Sequence, residues 1–308
     1  MPKPRTSETG SRPLSVCFIG NSHIAALKLA WTNRAPKVAS GFSATFFSAQ
    51  NRLMGHIEVK GRALVPGRGD LADKLAYTSG GVKSIEVDKY DAFVLVGSGF
   101  GVDMLKLVEI GGTPAHLRWK KDIEPLMSQA CYDEIFAQIL RDSQLVTVLR
   151  MIRSIAPAPA LIAAAPYLSE CVLEEEPLDT DRRFHEPEFL TPIVARCKQV
   201  AGKVAAELGC EVVWQDDATV AERAGYTKLD YGIGAARFSM HGGKSPVSDR
   251  RHGNEEYGAL LLGHVLKKLD AMTDGRVLPK TRNRAKPTPP RASKASATRG
   301  RRSAASNT

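Results

Sequence analysis

The chain reads as an α/β protein: an open, mostly parallel sheet of about five strands with helices on both faces. Three observations predict this. Short apolar runs of strand length recur at Leu14–Ile19, Ser43–Ala49, Tyr90–Val96, Ala160–Ala165 and Cys210–Trp214. Stretches with helical apolar spacing lie between most of them. The connections are long enough for the crossovers that parallel strands need.

Leu14–Ile19 (LSVCFI) is continuously apolar and stops at Gly20, as expected of a strand buried on both faces. Ser22–Trp31 follows with Ile24, Leu27, Ala30 and Trp31 at helical spacing, giving a strand–turn–helix. Ser43–Ala49 is the second strand. Residues 50–80 are glycine-rich and polar, with an alternating piece at Ile57–Val65 that suits a hairpin. Tyr90–Val96 is the next buried strand and runs into Gly97-Ser98-Gly99-Phe100-Gly101. After an insertion-like segment from about 102 to 130, Ser128–Ile155 reads as one helix with Ile135, Ile139, Leu145, Val148, Leu149 and Ile152 on its buried face. Pro157 and Pro159 end it. Ala160–Ala165 is a strand, 169–186 an acidic loop, Pro187–Leu208 a helix closed by Gly209, and Cys210–Trp214 the last strand. Gly253–Met272 is a final helix carrying Leu260, Leu261, Leu262, Val265, Leu266 and Leu269.

Charge separates the chain into parts. The 308 residues hold 43 basic and 33 acidic side chains, a formal net charge of +10. Ten of the basic residues lie between Arg276 and Thr308, where there is no acidic residue, so the remaining 33 basic groups match the 33 acidic ones. The body is electrically balanced, and the excess belongs to a Pro/Ala/Ser/Lys/Arg-rich tail that cannot bury enough apolar surface to order itself. Residues 1–13 and 273–308 are therefore expected to be disordered around a single body at 14–272, which is large enough for one core without disulfides. No apolar run reaches ~18 residues, so no transmembrane helix is expected. Met1–Pro13 is not followed by the apolar stretch of a secretory signal. The five cysteines, scattered and with no CxxC pair, read as reduced thiols of a cytoplasmic protein, and no metal site or cofactor is expected.

In sheets of this kind the site lies beyond the carboxyl ends of the strands at the point where strand order reverses. That directs attention to Gly20-Asn21-Ser22-His23, to Gly97–Gly101, to Pro166–Tyr167 and to the loop after Trp214. Ser22 sits where a strand hands over to a helix, with its N–H at the positive end of the helix dipole, a place that favours a developing oxyanion. Taken alone it reads equally as a helix N-cap. Asp249-Arg250-Arg251-His252 precedes the last helix; an Asp three residues before a His can hold its Nδ1 and leave Nε2 as a base. Taken alone, this reads more readily as a surface loop. His23 is expected to pack or face solvent, and His241 to belong to a plain loop. Gly97–Gly101 lacks the spacing of a dinucleotide fingerprint, and Lys120-Lys121 and Arg182-Arg183 are too small for a nucleic-acid footprint.

Together, Gly20-Asn21-Ser22 after a first strand, a glycine at the end of Val96–Gly97, and Asp249-x-x-His252 before a terminal helix resemble the SGNH (GDSL-like) hydrolase family. The resemblance implies a flavodoxin-like three-layer α/β/α sandwich and a serine esterase or deacylase. Ser22 then matches the nucleophile, His252 the base and Asp249 its orienting acid, and the substrate would be a small or carbohydrate ester. Two departures stand out. Asn21 replaces the usual aspartate. Gly97-Ser98-Gly99 has glycine where the family carries an asparagine oxyanion donor, so Ser98 or a backbone N–H of this loop must substitute. The family's second glycine has no firm match; Gly80 or Gly81 is the nearest choice. The missing asparagine motivates an alternative, a weakly active or inactive scaffold on the same fold. The tail motivates another, a binder of nucleic acid or a further anionic polymer.

Overall fold

The computed structural model describes residues 12–38, 41–97, 99–101, 127–173, 187–222, 225–236, 238 and 249–273. The chain forms an α/β sandwich around five parallel strands: β1 (Leu14–Gly20), β2 (Phe42–Ser48), β6 (Ala92–Val96), β7 (Ala160–Ala163) and β9 (Glu211–Val213). Their order is β2-β1-β6-β7-β9. The chain steps outward from β1 to β2 and then returns to the other side of β1 with β6, so the reversal falls between β1 and β6. The carboxyl ends of these two strands are Gly20 and Val96, which are register partners.

Strand alternation makes the two faces. Val16, Phe18, Phe46, Val94, Val96, Leu161 and Ala163 pack on one side with α1 (Ile24–Val38) and α7 (Glu255–Met272). Cys17, Ile19, Phe47, Phe93, Leu95 and Ile162 pack on the other with α3 (Gly69–Ser79), α4 (Gln129–Arg141), α5 (Gln144–Ile155) and α6 (Pro187–Glu207). This is the flavodoxin-like three-layer arrangement.

The hairpin at 57–65 is present as β3 (Ile57–Lys60) and β4 (Ala63–Pro66), antiparallel, with the short β5 (Ile85–Glu86) as a third strand. The glycine-rich appearance of residues 50–80 hid α3, whose buried side is Leu71, Leu75 and Thr78. The single helix expected over 128–155 is two. Asp142 ends α4, and the Ser143 hydroxyl accepts from the Val146 N–H to start α5. The break resets the helical phase, so α4 buries Tyr132, Phe136 and Leu140, while Ile139 is exposed. The insertion, most of the 169–186 loop, His241, and nearly all of both chain ends lie outside the described residues. The description begins at Arg12, whose guanidinium donates to both oxygens of Asp91. Among the described residues no helix is long and apolar enough to cross a membrane.

The contact between α1 and α7 positions the two distant halves of the site. A Cβ at Gly258 of α7 would stand 2.2 Å from the Ala26 carbonyl oxygen of α1. Only glycine lets the backbones come this close. At the rim Arg34 of α1 reaches both Glu255 and Glu256 of α7, with its Nε 2.9 Å from Glu255 Oε1. Gly258→Ala is expected to cost about 1–3 kcal/mol by overpacking, seen as a lower urea midpoint at unchanged slope. Gly263→Ala, on the open face of the same helix with nothing within 4 Å of the added carbon, is expected to be neutral or stabilising by up to about 1 kcal/mol.

Candidate active site

Ser22 follows β1 directly, in the turn before α1. The turn is held from below: the Asn21 carbonyl accepts from the Ile24 N–H at 3.2 Å and from the Ser48 hydroxyl at 2.8 Å. Thr78 in turn accepts from the Ser48 N–H at 2.9 Å, tying the end of β2 to α3. Ser22 does not act as the N-cap of α1. Its Oγ lies 2.7 Å from His252 Nε2, and among the described residues no backbone N–H donates to it.

His252 comes from the loop before α7, which is anchored at both ends. The Arg250 carbonyl accepts from the Ser169 N–H at 2.9 Å. Asn254 caps α7 through the Tyr257 N–H at 3.1 Å, and its amide donates to the carbonyls of Asp230 and Ile233. Between these anchors Asp249 is buried, 3% exposed. Its Oδ1 accepts from the backbone N–H groups of Arg251 and His252 at 3.0 and 3.2 Å. Its two oxygens lie 3.0 and 3.1 Å from His252 Nδ1. A carboxylate in this position accepts only, which places the imidazole proton on Nδ1 and turns the Nε2 lone pair to the Ser22 hydroxyl. The three residues matched by the resemblance thus form one hydrogen-bonded chain, hydroxyl to imidazole to carboxylate. Such a chain can pass a proton from Ser22 to His252 while Asp249 balances the charge.

The donors expected opposite Ser22 divide. The Gly97 N–H is committed to the Ala163 carbonyl at 3.0 Å and the Gly81 N–H to the Ala76 carbonyl at 2.7 Å. Neither amide is free among the described residues: sheet pairing uses the first and the C-cap of α3 uses the second. Gly80 also donates to Ala76. Gly99 faces α5, where an added Cβ would meet Ser143 at 3.3 Å. Ser98 lies outside the described residues. The Ser22 N–H is unengaged among the described residues and stands at the start of α1, where the helix dipole is positive.

His23 was expected to pack or face solvent away from the site. Instead its ring stacks on His252, with centroids 4.8 Å apart and planes 28° apart. Its backbone N–H donates to Asn21 Oδ1 at 3.2 Å. Only tertiary packing brings the two rings together; neighbouring positions in the sequence carry no signal for it. Burial, and then the nearby His252, push the His23 pKa from 6.5 down to about 3. Gly97, at φ 82°, frames both groups, since a Cβ there would lie 2.5 Å from Asn21 Oδ1 and 3.0 Å from His23 Cδ2.

No protein-family model matches the sequence, and no curated protein matches it. Solved structures do resemble it. One, provisionally described as a platelet activating factor from Streptococcus pneumonia, covers 85% of this chain and 86% of its own at 11% identity, TM-score 0.40. The periplasmic domain of the lipopolysaccharide acetyltransferase of Salmonella ser. Paratyphi A covers 83% and 84% at 9% identity, TM-score 0.38. A salicylyl-acyltransferase from a tetracycline biosynthetic pathway covers 88% of this chain and 58% of its own at 15% identity, TM-score 0.34.

Two outcomes follow from this geometry. Gly97→Ala combines a left-handed backbone with contacts on Asn21 and His23, and is expected to destabilise by about 1–3 kcal/mol, read by thermal or urea unfolding. For His23 the unfolded imidazole titrates near 6.5 and the folded one near 3. Between those values the unfolded chain binds the extra proton, so stability is lost as pH falls through that window and is unaffected above it. His23→Phe is expected to shrink the fall in melting temperature between pH 7 and pH 4; an equal fall in both proteins would contradict the assignment.

Proposed function

We propose that the protein is a serine esterase or deacylase of the SGNH type. The single observation behind this reading is the Ser22–His252–Asp249 chain, assembled from segments 230 positions apart at hydrogen-bond distance. Ser22 Oγ gives its proton to His252 Nε2, and the electron pair of the broken O–H bond attacks the ester carbonyl carbon. Asp249 holds the Nδ1–H and stabilises the imidazolium. The carbonyl oxygen, now an alkoxide, rests on the Ser22 N–H and on donors from residues 98–99. As the C–O bond breaks, His252 returns the proton to the departing alcohol. Water then repeats the sequence on the acyl-serine and releases the acid. Substrates are small or carbohydrate esters.

A second reading has its own observation. With the Gly97 and Gly81 amides committed and no asparagine at position 99, the oxyanion site has fewer donors than the family pattern implies, and one absent donor typically costs about 10²–10³ in rate. A slow hydrolase, or a scaffold on the same fold, would show this composition. The basic tail would then serve as a tether to an anionic polymer.

Ser22→Ala is expected to abolish both labelling by a fluorophosphonate probe and turnover of short-chain aryl esters. Labelling that persists in the variant removes Ser22 from the role, and wild-type turnover no higher than the variant's across several acyl lengths favours the scaffold. A 1–275 truncation is expected to keep ester cleavage, because the proposed chemistry lies in the electrically balanced body. If the tail binds nucleic acid, that binding should vanish on truncation and fall steeply with salt.

A further inference from the structure

The His23 ring is restrained on two sides: one face lies on His252, and its Cδ2 edge occupies the space left by the absent side chain of Gly97, while the backbone N–H of the same residue is held by Asn21 Oδ1. Its Nδ1 is buried and has no hydrogen-bond partner among the described residues. An apolar side chain could fill this space without stranding a polar atom, so stability alone gives no reason for an imidazole here. A buried N–H without an acceptor is rarer than an unpaired acceptor, which puts the ring's proton on Nε2 and leaves Nδ1 as a bare lone pair. The charged and titratable groups facing the ring are His252, Asp249 and Arg251, all from the 249–254 loop. Burial and His252 act against its protonation, so the ring stays uncharged while His252 cycles.

The two restraints on His252 are perpendicular. Asp249 grips the ring at its Nδ1 edge, in the imidazole plane, and that grip still allows the ring to tilt about the Nδ1–Asp249 line. The stack from His23 acts along the ring normal and opposes that tilt. An uncharged aromatic face is also a favourable neighbour for the imidazolium that forms when Ser22 gives up its proton.

We propose that His23 is a positioning residue: by stacking on His252 it holds that imidazole in line between Asp249 and Ser22. The proposal deepens, and for its kinetic consequence rests on, the reading of Ser22, His252 and Asp249 as a nucleophile, base and acid. His23 acts through His252.

The test compares the wild-type chain with His23→Leu, which keeps an apolar side chain but no ring, and His23→Phe, which restores a flat ring. The first readout does not need activity: the downfield proton resonance of His252 Nδ1–H against Asp249, by NMR. The second is the rate of fluorophosphonate labelling, with kcat and KM on an aryl acetate. In His23→Leu the resonance should broaden or vanish, and labelling and kcat should fall about 10–100-fold with KM little changed, as expected of a misplaced base. His23→Phe should recover the resonance and bring kcat within about threefold of wild type. A sharp resonance and wild-type labelling in His23→Leu overturn the proposal and leave the hydrolase reading intact. Equal loss in the Leu and Phe variants also overturns it, since the ring face would then not be what matters. If even the wild type fails to label while the resonance follows the Leu and Phe pattern, the positioning role stands and the hydrolase reading fails.

Discussion

The close approach of α1 and α7 is the constraint on which the site depends. Ser22 sits immediately before the first of these helices and His252 immediately before the second. Their separation is therefore set by how the two helices cross. Glycine at 258 allows the α7 backbone to rest on the Ala26 carbonyl, and Arg34 locks the exposed side of the crossing to Glu255 and Glu256. Those surface ion pairs contribute little stability by themselves. Their consequence is geometric: they act one turn from the 249–254 loop, where a small shift of α7 would carry His252 off Ser22.

Around this crossing, Asp249 and Asn21 each accept from backbone N–H groups. Asp249 is buried, but its Oδ1 receives two backbone N–H groups, so the carboxylate is satisfied apart from its hold on His252. Buried charge is tolerated when it is hydrogen-bonded in this way. Asn21 performs the matching task on the other side, receiving the His23 N–H and, through its carbonyl, the Ser48 hydroxyl. The side-chain oxygen of Asn21 supplies the acceptor that this turn uses.

Much of the sandwich was legible in the residues. Continuous apolar runs mark buried parallel strands, and all five recur in the central sheet. The phase of α4 was not legible, because the Ser143 cap that divides 128–155 looks, in sequence, like any polar residue on a helix surface. Helix α3 was masked by the glycines around it. Within the site, Ser22, His252 and Asp249 could be picked out by local signals, namely a strand–turn–helix serine and an Asp–x–x–His before a helix. That the Gly97 and Gly81 amides are committed is something sequence does not carry: a backbone N–H looks the same whether or not a neighbouring strand or helix end has claimed it.

The division follows from the range of the interactions. Residue order alone determined the strand cores, the electrically balanced body with its basic tail, and the two short segments that hold the candidate chemistry, because periodicity, composition and turn preference act over a few residues. Only the tertiary structure decided that Ser22 meets His252 at 2.7 Å instead of capping α1, that His23 lies on the face of His252, and which amides remain unengaged. Those outcomes depend on two helices crossing and on strands pairing across the sheet, contacts between residues far apart in the chain that no local pattern records.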